Sequence, residues 1–215
     1  MNRNYYFAAG AIILATLVGT LVAYSHLPAI VPMHWDARGH VNGWGPRWML
    51  FLFGPGMMGF IVLTFAAIPW LSPKQFEVES FRSTYLFMLC AILALLAYIQ
   101  LLVVLAALGT AVNMSRAMIG GICLLFTLLG NVMGKVRRNF FIGIRTPWTL
   151  ASEQVWNATH RFAATTFFAG GLAGLFFVLF NAPFWLPMSA LLGCSLSPII
   201  YSLMLYKRLE GQGAL

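Results

Sequence analysis

Residues 84–108 read TYLFMLCAILALLAYIQLLVVLAAL, an apolar run in which no side chain is charged. A helix needs about 20 mostly apolar residues to span a bilayer, so this run is long enough to cross a membrane. Similar runs lie at Tyr5–Leu27, Trp48–Leu71, Ala117–Gly134, Phe162–Phe180 and Trp185–Tyr206. The sequence therefore predicts an all-α fold, a polytopic bundle of six transmembrane helices that forms a single membrane domain over residues 1–215.

The composition of the chain indicates the same class of protein. Of 215 residues, 60% are hydrophobic and 8% are charged, whereas about a quarter of the residues are charged in a soluble domain. The formal net charge of +8 would suggest a nucleic-acid partner in a soluble protein, but here the basic residues cluster in the loops. We therefore expect the lipid bilayer as a partner and no direct contact with nucleic acid. Cys90, Cys123 and Cys194 lie in apolar runs and imply no disulfide framework.

The uneven distribution of Lys and Arg between alternate loops predicts the orientation of the chain. With the N-terminus inside, ten of the 13 basic residues lie on the cytoplasmic side, and only Arg38, Arg47 and Arg116 lie on the other. Short cytoplasmic loops are enriched in Lys and Arg. We therefore expect both the N-terminus and the C-terminus in the cytoplasm.

Two loops are long and rich in polar and aromatic residues. Residues 28–47 are predicted on the extracytoplasmic side, where their Pro and Gly content favours turns over a helix. Residues 135–161 are predicted in the cytoplasm and contain Thr146-Pro147, which has the form of a helix N-cap followed by proline at the first helical position. We expect this second segment to be ordered and docked on the bundle. Because each loop follows the first helix of a three-helix half, a 3+3 inverted repeat is a further hypothesis.

The extracytoplasmic loop brings together His34, Asp36 and His40, side chains that can serve as ligands for zinc or copper. They are the candidate metal ligands of this sequence, although their spacing matches no established metal motif. The alternative is that His34 and Asp36 hydrogen-bond to backbone groups of the loop and hold its turns. Apart from this metal ion, no cofactor is predicted.

The cytoplasmic loop offers a second set of polar groups. On one helix, Glu153, Trp156 and His160 would share a face, so Glu153 and His160 are candidates for a catalytic or metal-binding pair. They are separated by about two helical turns, roughly 10 Å, so ion pairs with Arg145 or Arg161 are the favoured alternative. Trp148 and Trp156 would lie in the aromatic belt at the membrane interface.

Little else in the sequence favours catalysis or ion transport. None of the five acidic residues lies inside a predicted span, which disfavours an ion-coupled transporter. No nucleophile elbow, phosphate-binding loop or cofactor signature occurs. An enzymatic activity is therefore not excluded, but the sequence favours a protein without one, and no catalytic residue is assigned.

Two segments carry a resemblance to known families. PMHWDARGHVNGWG, at residues 32–45, resembles the extracytoplasmic signature of a widespread N-terminal domain of unknown function. NFFIGIRTPWTLASEQVWNATHR, at residues 139–161, resembles the hallmark of SdpI-type immunity proteins. The site residues that the resemblance implies are His34, Asp36, Gly39, Asn42, Trp44 and Gly45 in the outer loop, and Arg145, Thr146, Pro147, Trp148, Glu153, Trp156, Thr159, His160 and Arg161 in the inner motif.

The resemblance implies a multi-pass protein of the bacterial inner membrane that confers resistance to a secreted antimicrobial peptide toxin. It also implies signal transduction, in which a cytoplasmic repressor is held at the membrane. On this hypothesis, Arg145, Glu153, His160 and Arg161 form a polar cluster that responds to helix shifts, and Glu153→Gln or His160→Ala weakens protection. The alternatives are a membrane-embedded metal-dependent or lipid-processing enzyme and a small-molecule exporter or channel.

Overall fold

The computed structural model describes residues 2–215, without the side chain of Gln75. Its six helices that are long and apolar enough to cross a membrane confirm the predicted fold class. Because the number of crossings is even, both chain ends lie on one face of the bundle, called here the terminal face. The helices, called the first to sixth spans, are Asn2–Tyr24, Met49–Leu71, Val78–Ala107, Met114–Met133, Glu153–Leu179 and Trp185–Gly211.

Two spans are irregular near one end. In the second span, a π-helical turn at Leu52–Gly56 that contains Pro55 separates the α-helices Met49–Phe51 and Met57–Leu71. Proline lacks the N–H that a regular α-helix would use at this position, so the local change in hydrogen bonding has a clear cause. The third span starts as a 3₁₀ turn, Val78–Phe81, before the α-helix Arg82–Ala107.

The fifth span begins at Glu153, well before the predicted start at Phe162. Its first turns are polar in sequence, and hydropathy detects only the apolar part of a helix. Ser152 caps the helix by accepting a hydrogen bond from the N–H of Val155 (3.4 Å). A helix does begin after Thr146 as predicted, but it ends at Ala151, so it does not run continuously into the fifth span.

The loop between the first and second spans folds as a β-hairpin, which defines the hairpin face. Strands β1, Ile30–Trp35, and β2, Val41–Pro46, pair antiparallel. Turns were predicted here, but the strands were not, because the Pro and Gly residues of this loop are poor signals for a strand. Val31 is fully buried in a cluster with Leu50 and Val104, so the hairpin is packed onto the ends of the spans.

The first three spans are joined inside the membrane by one buried amide. Gln100 of the third span donates from Nε2 to the hydroxyl of Thr20 (3.0 Å) and to the carbonyl of Leu50 (3.1 Å). Both donors of the amide therefore have partners from two other spans. Interhelical hydrogen bonds of this kind stabilise membrane bundles, because an unpaired amide in hydrocarbon is costly.

The last three spans pack through glycines of the fifth span. A Cβ at Gly171 would lie 2.5 Å from Oγ1 of Thr127, and one at Gly174 would lie 2.5 Å from Sγ of Cys123. Gly170 faces the sixth span, where a Cβ would lie 2.5 Å from Cβ of Cys194. Small residues permit this close approach of helices. The two halves thus use different contacts, and the inverted repeat stays a prediction.

Candidate functional site

The segment at residues 135–161, called here the motif segment, begins with a loop that is organised by one buried side chain. Asn139 is fully buried. Its Nδ2 donates to the carbonyls of Arg137 (2.8 Å) and Ile142 (3.0 Å), and its Oδ1 accepts from the N–H groups of Phe141 (2.8 Å) and Ile142 (2.7 Å). A single amide therefore fixes the backbone of a tight turn, as Asn side chains commonly do in loops.

The turn places Gly143 and Ile144 over the imidazole of His160. The N–H of Ile144 donates to Nε2 of His160 (3.0 Å). Nε2 must then be the unprotonated nitrogen, so Nδ1 carries the hydrogen and donates it to the carbonyl of Trp156 (2.9 Å). Gly143 has φ +110°, and a Cβ there would overlap Nε2 of His160. Glycine therefore meets both the backbone and the space requirements at this position.

Trp156 completes the buried part of the site. It has no exposed surface, stacks on His160 with ring centroids 4.1 Å apart, and donates from Nε1 to the carbonyl of Val136 (2.8 Å). The predicted place of Trp156 in an interfacial aromatic belt is therefore wrong, because residues 136–144 fold over this helix face and cover it. Trp148 is half-buried and donates to the hydroxyl of Ser202 on the sixth span (2.5 Å).

The short helix Pro147–Ala151 is held by reciprocal threonine bonds. Oγ1 of Thr146 accepts from the N–H of Thr149 (3.2 Å), and Oγ1 of Thr149 accepts from the N–H of Thr146 (2.8 Å). The predicted N-cap at Thr146, with Pro147 at the first helical position, is confirmed. The arrangement is a capping box, with threonine in the position more often taken by glutamate or glutamine.

Residues of the motif segment form a buried set and an exposed set, and Thr146 and Trp148 are half-buried between them. We call the buried set the motif core: Asn139, Thr149, Trp156, Thr159 and His160. We call the exposed set the motif rim: Arg145, Pro147, Glu153 and Arg161.

The predicted ion pairs of Glu153 or His160 with Arg145 or Arg161 are absent from the part of the chain that the structure describes. The pairs found there are Asp36–His40, Glu79–Arg82 and Lys207–Glu210. Arg145 instead donates to the carbonyl of Phe140. His160 is buried, and both of its ring nitrogens are hydrogen-bonded to backbone groups. The predicted cluster of charged side chains is therefore not formed.

The residues of the motif core also bridge the two halves of the bundle. Val136 and Trp156 lie in one buried cluster with Val78, Phe81 and Tyr85 at the start of the third span. Nearby, Phe140 contacts Phe76 edge-on, with ring centroids 4.4 Å apart. The motif segment is therefore docked on the bundle, and it contacts elements from both sides of the midpoint of the chain.

In the outer loop, Asp36 organises the tip of the hairpin. Its Oδ1 accepts from the N–H groups of Arg38 (2.8 Å) and His40 (2.9 Å). The hydrogen bond from the N–H of His40 lowers the pKa of the Asp36 carboxyl. Gly39, with φ +86°, completes this turn. The prediction that Asp36 binds loop backbone is confirmed.

The other candidate residues of the outer loop are arranged along the hairpin. His34 contacts the side chain of Asn42 through Nδ1 (2.5 Å), rather than a backbone group. Trp44 is exposed and Gly45 is buried, with its partner in the sheet at Val31. Within the described residues, no three His, Cys, Asp or Glu side chains are grouped as they would be around a metal ion.

The site residues predicted from the sequence did not include Asn139, Gly143 or Thr149, although all three lie in the segment that carries the resemblance. The available signal was local: an asparagine before two aromatic residues and a glycine is a typical turn sequence. Arg47 was also missed. Its guanidinium donates to the carbonyls of Tyr24 (3.1 Å) and Leu27 (2.8 Å), so it caps the end of the first span.

Comparison with known proteins finds different matches in the two halves of the chain. The model of the SdpI/YfhL protein family matches residues 135–202, which include the motif segment, the fifth span and most of the sixth. Immunity protein SdpI of Bacillus subtilis (strain 168) is 28% identical over 153 residues, which cover 71% of each protein. The resemblance to the SdpI family is confirmed.

The other comparisons concern the first half and the fold. A domain of unknown function (DUF1648) matches residues 11–59, which contain most of the first span, the hairpin and the start of the second span. No solved structure matches the chain. With six helices apolar enough to cross a membrane and a segment that matches the SdpI/YfhL family model, the chain is a multi-pass membrane protein similar to SdpI.

Proposed function

We propose that this protein is an immunity protein of the bacterial inner membrane, which confers resistance to a secreted, hydrophobic antimicrobial peptide. Its similarity to the immunity protein SdpI supports the assignment. The observation that carries the proposal is the burial of the motif core. His160 is 1% exposed and both of its ring nitrogens are hydrogen-bonded. It therefore stabilises the conformation of the motif segment and is not accessible to a substrate. A general base must be able to reach the proton that it removes.

The orientation that we propose places the terminal face, with the motif segment, in the cytoplasm. Ten basic residues flank the spans on the terminal face, and Arg38, Arg47 and Arg116 lie on the hairpin face. This asymmetry supports the assignment, because cytoplasmic loops retain Lys and Arg. The hairpin would then meet a secreted peptide first, and the motif rim would be accessible to a cytoplasmic repressor.

The motif core suggests how binding of a peptide could be reported. Its Trp156 lies in one buried apolar cluster with Val78 and Phe81 of the third span, and the indole donates to the carbonyl of Val136 in the loop after the fourth span. A ligand can shift a conformational equilibrium only if it binds one arrangement more tightly than another. A peptide that prefers one spacing of these spans would move the motif core with them. Arg145 and Glu153 on the motif rim would then present a different surface to the repressor.

The experiment is complementation in Bacillus subtilis. A strain that lacks its own SdpI would express this chain and be grown beside the toxin-producing parent. We expect higher survival than in cells that carry an empty vector, with the chain detected in the membrane fraction. Survival equal to that of the empty-vector cells, against toxins of both the parent and the native host, would contradict the proposal.

A second arm separates signalling from protection. Glu153 is exposed and forms no ion pair within the described residues, so Glu153→Gln should leave membrane abundance and thermal stability unchanged. We expect the variant to weaken retention of the repressor at the membrane, measured by fractionation of tagged repressor. Gln154→Ala, at an exposed neighbouring position, is the matched control.

A further inference from the structure

An apolar groove lies under the hairpin, between the fourth and sixth spans. Its volume is about 490 Å³. Four methionines line it, two of them from the fourth span and one each from the hairpin and the sixth span. Methionine side chains are flexible and polarizable, and they fit apolar ligands of varied shape. The four are Met33, Met114, Met118 and Met188.

The groove runs along the fourth span over a distance close to the depth of one leaflet. On the fourth span, its lining extends from Met114, at the start of the helix, to Phe126. At 1.5 Å per residue, this distance is about 18 Å. Half of a hydrocarbon core about 30 Å thick is about 15 Å. The groove therefore has the length and the polarity to accept one acyl chain from the leaflet on the hairpin side.

A smaller cavity of about 230 Å³ adjoins the groove at its end nearest the hairpin tip. The two linings share Ala37, Ser115, Ile119 and Phe184. Its lining includes Arg38 and Arg116 and no acidic residue. Within the described residues, neither guanidinium has a carboxylate oxygen within 4.0 Å.

The one acidic residue near this site is already engaged by the hairpin tip. Asp36 lines the groove, but its Oδ1 accepts two backbone hydrogen bonds and its Oδ2 lies 3.5 Å from Nδ1 of His40. Arg116 donates to the carbonyl of Val178 at 3.4 Å, a long bond that leaves most of its donors available. The polar end of the site therefore offers positive charge to a ligand.

We propose that this groove binds an anionic phospholipid of the leaflet on the hairpin side. The phosphate lies against Arg38 and Arg116, and one acyl chain lies along the methionines. Arginine forms charge-assisted, often bidentate, hydrogen bonds with phosphate, and the apolar groove selects for an attached chain over free phosphate. The site is separate from the motif core, and the proposal does not depend on the proposed immunity function.

The test is lipid retention by the purified full-length chain, measured by native mass spectrometry. The chain is incubated with equal amounts of phosphatidylglycerol and phosphatidylcholine that have identical acyl chains. We expect preferential retention of phosphatidylglycerol, and a preference about tenfold weaker in the Arg38→Gln/Arg116→Gln double variant. Arg38→Gln alone, at the exposed hairpin tip, should weaken it in the same direction without affecting the fold. Arg208→Gln, at an exposed position on the terminal face, is the matched control.

A second pair of variants tests the acyl-chain part of the site. Ile122→Trp would fill the groove and should reduce retention of phosphatidylglycerol severalfold, whereas Leu172→Trp, on an exposed position of the fifth span, should not. Equal retention of the two lipids by the wild-type chain would overturn the proposal. So would an unchanged preference in both arginine variants, or unchanged retention in Ile122→Trp. If Ile122→Trp abolished protection in the survival assay with lipid retention intact, the groove would be a peptide site instead.

Discussion

At the scale of single residues, the motif segment is shaped by side chains that satisfy backbone groups. Asn139 binds four backbone atoms of one turn, and His160 joins the N–H of Ile144 to the carbonyl of Trp156. The cap at Thr146 could be predicted because its signal is local. The burial of Trp156 and His160 could not, since a Glu-Trp-His face has the pattern of an exposed helix until another segment covers it.

The first prediction concerns Gly143, whose φ of +110° and contact with His160 leave no room for a side chain. We expect Gly143→Ala to lower the free energy of unfolding by about 1–3 kcal/mol, through backbone strain and displacement of the imidazole. Thermal unfolding in detergent measures the change. Gly134→Ala is the matched control, because a Cβ there meets only ordinary contacts, the nearest at 3.7 Å. Equal stability of the two variants would show that the close contact is unimportant.

At the scale of elements, the six apolar runs were sufficient to find the spans, but their ends depended on polar neighbours. The fifth span extends to Glu153 because Ser152 caps its polar first turns and the motif segment covers one face of them, at Trp156 and His160. The hairpin was not predicted, because its strands are stabilised by packing on the ends of the spans rather than by their own β propensity. The packing role of the glycines on the fifth span likewise can be recognised only when the helices that contact them are known.

The second prediction tests that glycine face. Gly171→Ala would place a methyl group 2.5 Å from Oγ1 of Thr127 and 2.6 Å from the carbonyl oxygen of Cys123. We expect it to push the fourth and fifth spans apart and cost about 1–3 kcal/mol of stability. Gly193→Ala, in the sixth span, meets nothing within 4 Å and should be neutral or slightly stabilising. A Gly171→Ala protein as stable as Gly193→Ala would contradict the close packing described for these spans.

At the scale of the whole molecule, two three-span halves are joined at both faces. On the hairpin face, Ser115 of the fourth span donates to the carbonyl of Ala37 at the hairpin tip (2.8 Å). On the terminal face, Trp156 of the motif core shares one buried cluster with Val78 and Phe81 at the start of the third span. Hydropathy predicted the number of spans, but it has no information on which spans touch. These two contacts join residues that are distant in sequence, so they could not be predicted from local patterns.

The third prediction is the orientation of the molecule. A cysteine at Asn42 should react in intact cells with a membrane-impermeant thiol reagent, and one at Arg137 should react only after the cells are opened. Both positions are exposed, whereas Asn139 is fully buried and would be a poor reporter. The native cysteines add little background because Cys123 and Cys194 are buried and Cys90 is half-buried within a span. Labelling of both variants from the same side would rule out the proposed topology.

The most direct measurement is survival under toxin exposure of cells that carry His160→Ala, compared with wild type and Gln154→Ala at matched membrane abundance. If the buried motif core supports immunity, loss of the imidazole leaves the N–H of Ile144 without its partner and loosens the motif segment. We predict that survival falls towards that of cells without the protein, whereas Gln154→Ala protects fully. Full protection by His160→Ala at wild-type abundance would contradict the role of the motif core.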